Sequence, residues 1–189
     1  APIPLLLLVL FVFLLSAILA SGYYYYNSQL DSQMRIVRDD LKGIADLKVK
    51  RIEQWRNERL GEAWMIRENT AIARQVRSYL DHGTGKDDLV RWLTSFQRQA
   101  GYSGLLLLDA HGVVRLSFAS TGDTIGSIGR RNIHEVYRER TPILSDMHQT
   151  EAIRNLHLDM VIPMIDWGEK NQPIVGVLFF RIDPAALLF

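Results

Sequence analysis

Gly104-Leu105-Leu106-Leu107-Leu108-Asp109-Ala110-His111-Gly112-Val113-Val114-Arg115-Leu116-Ser117-Phe118 is the stretch that decides the fold. An unbroken apolar run gives way to Asp-Ala-His-Gly and then to a second apolar run. Asp opens turns by bonding its own backbone, and Gly closes them at positive φ. The pattern predicts a β-hairpin with strands Gly104 to Leu108 and Val113 to Phe118.

Working toward the C-terminus, three more strands are expected: Ile143 to His148, His157 to Ile165 and Ile174 to Ile182. The last is apolar on both faces. Strict alternation puts Val175, Val177 and Phe179 on one side and Ile174, Leu178 and Phe180 on the other. A strand buried on both faces belongs in the middle of a covered sheet. Between hairpin and third strand lie a Gly-rich loop, Thr121 to Gly129, and a short helical stretch from Asn132 to Arg138. Asp166 to Pro173 reads as a polar turn.

Toward the N-terminus, Leu89, Trp92, Leu93 and Phe96 form the apolar stripe of a helix, with Asp87 or Asp88 as its cap and Gly101 at its end. Before the Gly83-Thr84-Gly85 break, Asn27 to Leu80 has no proline and reads as one long helix. Its first part carries Leu30, Met34, Val37, Leu41 and Ile44 in alternating three- and four-residue steps, which place them on one seam. Its later part, with Trp55, Leu60, Trp64, Ile72 and Val76, suits docking on a globular body. The seam predicts a homodimer through the stalk helix. A helix packed only within its own chain has the same pattern.

From Ile3 to Gly22 no residue is charged, and four tyrosines, Tyr23 to Tyr26, follow at once. About 20 apolar residues span a bilayer, and Tyr favours its interface with water. A transmembrane anchor over 1–22 is expected. A cleaved signal peptide is the alternative, with a shorter apolar core as its usual mark. Either reading sends the remainder across the inner membrane into the periplasm. The expected organisation is therefore an anchor (1–22), a stalk and docking helix (23–80) and a sensor-type domain (81–189). The Ala1-Pro2 start and the apolar close at Leu187-Leu188-Phe189 lead us to expect a piece of a longer protein, cut before a second module.

Lys and Arg number 22 against 21 Asp and Glu, and the two signs interleave, so a nucleic-acid partner is not expected. Cysteine is absent, which excludes a disulfide framework and a thiol nucleophile. The element order predicts an α+β fold with an antiparallel sheet of about five strands.

The hairpin, then Ser145-Asp146-Met147-His148, His157-Leu158-Asp159-Met160-Val161-Ile162-Pro163-Met164 and Pro173 through Pro184, taken in that order, resemble the PAS-like Cache sensor domains. Those of membrane-bound PAS-containing histidine kinases and diguanylate cyclases are the nearest in pattern. The resemblance extends from Leu30 to the end. It implies an extracytoplasmic ligand-binding region that passes a conformational signal through the long helix to a cytoplasmic output domain. The chain itself would then be no enzyme and would need no cofactor. A structural, dimerising module of the same kind of receptor, binding no ligand, is the alternative. The Arg, Trp and aromatic cluster of the amino-acid-binding type is replaced here by Arg130-Arg131-Asn132-Ile133-His134.

The chemistry-bearing constellation is Asp146/His148 with His157/Asp159. Spacing by two puts each pair on one face of a strand. If the faces agree, two carboxylates and two imidazoles converge as anchors for a small ligand or, alternatively, a divalent metal. A solvated strand face with local ion pairs fits the same spacing. Arg131, Arg154 and Tyr137 border the region, and a guanidinium grips a carboxylate through two bonds, so an anionic small molecule is a natural candidate. His134-Glu135 with Thr141-Pro142 only superficially matches a phosphoacceptor box. Gly122, Gly126 and Gly129 lack the Gly-Lys-Ser/Thr of a phosphate cradle.

Overall fold

The computed structural model describes residues 3–118, 125–150 and 156–185. Among them are four helices and one five-stranded antiparallel sheet. The chain divides into two units, Ala1–Arg51 and Ile52–Phe189.

The described residues of the first unit all belong to helix α1 (Ile3–Arg67). Leu7–Tyr26, 20 residues, is long and apolar enough to cross a membrane. Further along, Met34, Val37, Leu41 and Ile44 stand exposed on the expected seam.

The second unit begins with the last turns of α1, whose Ala63 and Ile66 are buried in the core. The expected single helix to Leu80 is interrupted: α1 ends at Arg67 and α2 (Thr70–His82) starts afresh. The cause is Asn69. Its backbone is extended, and its side-chain oxygen accepts from the N–H groups of Ala71 and Ile72. Asn stabilises a helix start better than a helix interior, because its amide competes for backbone groups. Gly83 ends α2 in the left-handed conformation. Helix α3 (Lys86–Ala100) follows, capped at its start by Gly85; Asp87 and Asp88 fall in its first turn and do not cap it as expected.

Strands β1 (Gly104–Asp109) and β2 (Val114–Ser117) form the predicted hairpin. Asp109 Oδ1 accepts from the N–H groups of His111 and Val113, and Gly112 takes φ 78°. Helix α4 (Ser127–Glu139) starts earlier than its apolar stripe suggests, so the expected loop to Gly129 ends at Gly126. Gly129 lies inside α4 because a Cβ there would stand 3.1 Å from the Phe179 ring. The glycine is a packing device that lets α4 approach the sheet. Residues 121–124 of that loop lie outside the described residues.

Strands β3 (Ile143–Leu144), β4 (Leu158–Ile165) and β5 (Ile174–Ile182) complete the sheet in the order β2-β1-β5-β4-β3. The last strand in sequence is thus the central one, as its two apolar faces require. One face packs on α1, α2 and α3 through Leu105, Leu107, Met160, Ile162, Leu178 and Phe180. The other packs on α4, where Leu106, Leu108, Val161, Val177 and Phe179 meet Ile133 and Val136. Each large apolar side chain so buried contributes about 1.5–3 kcal/mol. Alternation along β5 fails at one point. Met164 pairs with Gly176 and Ile165 with Ile174, so Val175 is a bulge. Val175 therefore joins Leu178 and Phe180 on the three-helix face, and Ile174 joins Val177 on the α4 face. This reverses the expected assignment of both residues.

Candidate functional site: a buried polar cluster beside helix α4

On the α4 face, the apolar pattern of β4 and β5 is broken at one matched position. Asp159 of β4 stands in register with Arg181 of β5. Asp159 is 1% exposed, and Arg181 is also buried. Their facing side chains place Arg181 Nε 3.9 Å from Asp159 Oδ1.

His148 and His157 add the next rung. They exchange two backbone hydrogen bonds of 2.9 Å, and their rings stand 4.5 Å apart between centroids. Ser145 pins Asp159 from both ends of its peptide group. The Ser145 N–H donates to the Asp159 carbonyl, and Ser145 Oγ accepts from the Asp159 N–H, both at 2.8 Å. Pairing in β3 stops at Leu144, where the Ser145 side chain takes over part of the ladder's work.

The tautomer of His148 follows from its neighbours. Nδ1 lies 2.9 Å from the Asp146 carbonyl, which can only accept, so Nδ1 carries a hydrogen. Nε2 then faces Asp159 Oδ2 at 3.0 Å. A neutral ring would turn its lone pair toward an ionised oxygen. A proton shared by the pair, carried on either side chain, satisfies both atoms at this distance. Asp159 Oδ1 is 3.9 Å from His157 Nε2 and has no hydrogen-bond partner among the described residues. Burial pushes the Asp159 carboxyl above its ordinary range, while His148, His157 and Arg181 pull the other way.

Among the described residues, two clefts border α4. One, of about 290 Å³, is lined by Arg56, Arg131, Asn132, Ser145, Asp146 and His148, among others. It gives the polar cluster its opening. Asn132 is buried, and its Nδ2 has no partner among the described residues. Arg56 closes the rim, donating to the carbonyls of Leu144 and Ser145. The second cleft, of about 390 Å³, is lined by His111, Ile125, Arg130, Ile133, His134 and Tyr137, with Gly112. There the Tyr137 hydroxyl donates to the Asp109 carbonyl at 2.7 Å, and burial pushes its pKa up to about 12.

Of the residues singled out from sequence, His148, His157 and Asp159 come together, with ligating atoms all within 4.8 Å of one another. Asp146 does not join them. Its side chain is fully exposed, 3.7 Å from Arg56, because the strand ends before it and spacing by two no longer sets its face. Arg131 borders the cluster's cleft, whereas Tyr137 borders the other. Arg154 lies outside the described residues. Sequence reasoning missed Ser145, Asn132 and Arg181. Arg181 left the clearest signal, as a lone charge inside an otherwise apolar strand.

No family model and no curated protein sequence matches the chain. Solved structures do. The ligand-binding domain of the Campylobacter jejuni chemoreceptor Tlp3, crystallised with L-norvaline, matches 75% of this chain and 56% of its own, with TM-score 0.56 and 12% identity. The sensor domain of the Vibrio cholerae histidine kinase DctB matches 82% of this chain and 59% of its own, with TM-score 0.60 and 11% identity. The ligand-binding domain of the Pseudomonas fluorescens chemoreceptor CtaA, with L-isoleucine, gives 82%, 62%, 0.50 and 15%. The chain thus spans less than two thirds of the solved domains it matches. At such identities the likeness speaks for the fold alone: the globular unit shares the α+β fold of these sensor domains.

Proposed function

We propose that this chain is the extracytoplasmic sensory region of a membrane receptor, anchored in the inner membrane by α1 and binding a small anionic molecule beside α4 in the periplasm. The observation that carries this reading is the polar cluster that opens into the cleft between α4 and the β3–β4 edge. Burying Asp159, Arg181 and two histidines on an otherwise apolar sheet face costs stability, since desolvated charges are only partly repaid by one another. At the rim, Arg56 and Arg131 supply positive charge, and the Asn132 amide offers a buried donor. A carboxylate or another small oxyanion matches those donors. Signalling then requires different affinity for two states of the domain. The output domain, of histidine kinase or diguanylate cyclase type, would receive the change through α1, and two chains would pair along its Met34–Val37–Leu41 seam.

The test is thermal denaturation of the chain in detergent micelles, scanned with amino acids, dicarboxylates, phosphate and sugars. A ligand at one hundred times its Kd stabilises by about 2.7 kcal/mol. Arg131→Ala is expected to abolish the shift produced by an anionic hit. If no anion stabilises the chain at millimolar concentration, the reading fails. The seam is tested separately by Leu41→Cys, a single thiol in a cysteine-free chain. Oxidation in membranes should give a disulfide-linked dimer, and persistent monomer would argue against pairing there.

A further inference from the structure

We infer that His148, His157 and Asp159 form a binding site for a divalent transition-metal ion of the zinc or cobalt class. The donor set is two imidazole nitrogens and a carboxylate, which suits such ions. All three side chains are buried, and their ligating atoms lie within 4.8 Å of one another. Modest side-chain rotation brings them to the ~2.0–2.2 Å bonds that zinc makes with His and Asp.

Two independent features point to a cation there. The first is the orientation of His148. Its Nδ1–H donates to the Asp146 carbonyl, which fixes the tautomer and aims the Nε2 lone pair at Asp159. A metal-bound His is held in just this way by a backbone acceptor behind it. Nε2 and Oδ2 stand 3.0 Å apart, and a small separation to about 3.4 Å would let both atoms ligate one tetrahedral ion. The second feature is the carboxylate. Oδ1 of Asp159, on a side chain that is 2% exposed, has no hydrogen-bond partner among the described residues. Ser145 holds the Asp159 backbone in place at 2.8 Å, so the oxygens are positioned before any ion arrives. Three protein donors leave coordination positions for water or for an oxygen of a molecule in the adjoining cleft. Arg181, 3.9 Å from Oδ1, opposes a cation and keeps the site weaker than a closed structural one.

The inference rests on the sensory reading only for what the ion would do. Binding itself is a separate question, with its own failure. The decisive experiment is a cobalt(II) titration of the full chain in detergent micelles after stripping with a chelator, read by visible absorption and repeated in competition with zinc. One saturating equivalent, displaced by zinc, is expected. His157→Gln and Asp159→Asn should each weaken binding by roughly tenfold or more. The exposed His82→Gln should leave it unchanged. Circular dichroism of each variant separates lost ligation from lost folding, and a variant that unfolds is replaced by His148→Gln. Absence of saturable binding in the wild-type chain overturns the inference by itself. So does binding that survives all three ligand substitutions. In either case a proton alone lies between His148 and Asp159, and the anion screen above remains decisive for sensing.

Discussion

Gly176 offers a sharp test of how the globular unit is packed. It sits on β5 beside the bulge, where α2 crosses the sheet. A Cβ there would meet the Leu108 carbonyl oxygen at 2.7 Å, Leu80 Cδ1 at 3.1 Å and Val76 Cγ1 at 3.5 Å. The first contact is with the backbone of the neighbouring strand, which cannot move aside without breaking β1–β5 pairing. Overpacking of this kind costs about 1–3 kcal/mol. Replacing Gly by Ala also removes freedom from the unfolded chain, which returns about 0.4–1 kcal/mol. The packing term outweighs the entropy term, and Gly176→Ala should destabilise by about 1.3 kcal/mol, and by no more than about 2.6. Gly61 of α1 is the internal control. A Cβ there meets nothing within 4 Å, and the position is mid-helix and exposed. Gly61→Ala should stabilise by about 0.5–1 kcal/mol. The same chemical change thus carries opposite signs at two positions of one chain. For a chain of this size each kcal/mol shifts Tm by about 2–4 °C. Circular-dichroism melts and urea titrations of both variants measure the difference. A Gly176→Ala variant as stable as Gly61→Ala would refute the claim that α2 seats against β5 through the missing side chain.

Other outcomes follow from single contacts. Asn69→Ala removes the acceptor for two α2 amides and should cost about 0.5–2 kcal/mol in urea denaturation, with Asn69→Gly milder by most of that amount. Phe180 is fully buried against Phe96 and Tyr102, with ring centroids at 5.4 and 4.9 Å, so Phe180→Ala should cost about 3–5 kcal/mol. A loss below about 1 kcal/mol would mean that the core there is not packed as described. Asp159 has a pH signature. Its folded-state carboxyl is raised by burial, so it holds its proton more tightly than the unfolded chain does. Its contribution to stability is therefore greatest below the unfolded value of about 3.9 and is lost as pH rises through the raised folded value. Relative to Asp159→Asn, the wild type should lose stability across that window. Urea midpoints whose difference stays constant from about pH 4 to about pH 7 would count against the assignment.

The elements that sequence reveals well are those whose signal is local. Gly104 to Phe118 carries its turn chemistry within four residues, and the structure places Asp109 and Gly112 in the expected roles. The centrality of β5 was legible because both its faces are apolar. Most of what escaped depends on partners distant in sequence. The bulge at Val175 arises from how β4 meets β5, and no pattern inside β5 announces it. Asn69 is a local exception: one side-chain oxygen caps α2, inside a proline-free stretch that reads as a single helix. At the site, spacing by two holds for His157 and Asp159, whose side chains lie beside His148. It failed for Asp146, because parity holds only while a strand lasts and β3 stops at Leu144. Arg181 became meaningful only once register set it opposite Asp159.

The sheet order has a consequence for how the molecule comes to exist. β5 occupies the slot between β1 and β4, yet it follows both in the chain. Until Ile174 to Ile182 has been made, the hairpin and the β3–β4 pair have no strand to join them. Both then expose raw edges, the kind that pair with the wrong partner. Assembly must wait for a contact that closes long loops, which makes it slow compared with helical bundles of similar length. An interrupted chain lacking β5 would be open at its middle rather than merely shortened at its end. Aggregation or proteolysis of such chains, rather than a partly working domain, is the expected fate of truncations before Ile174.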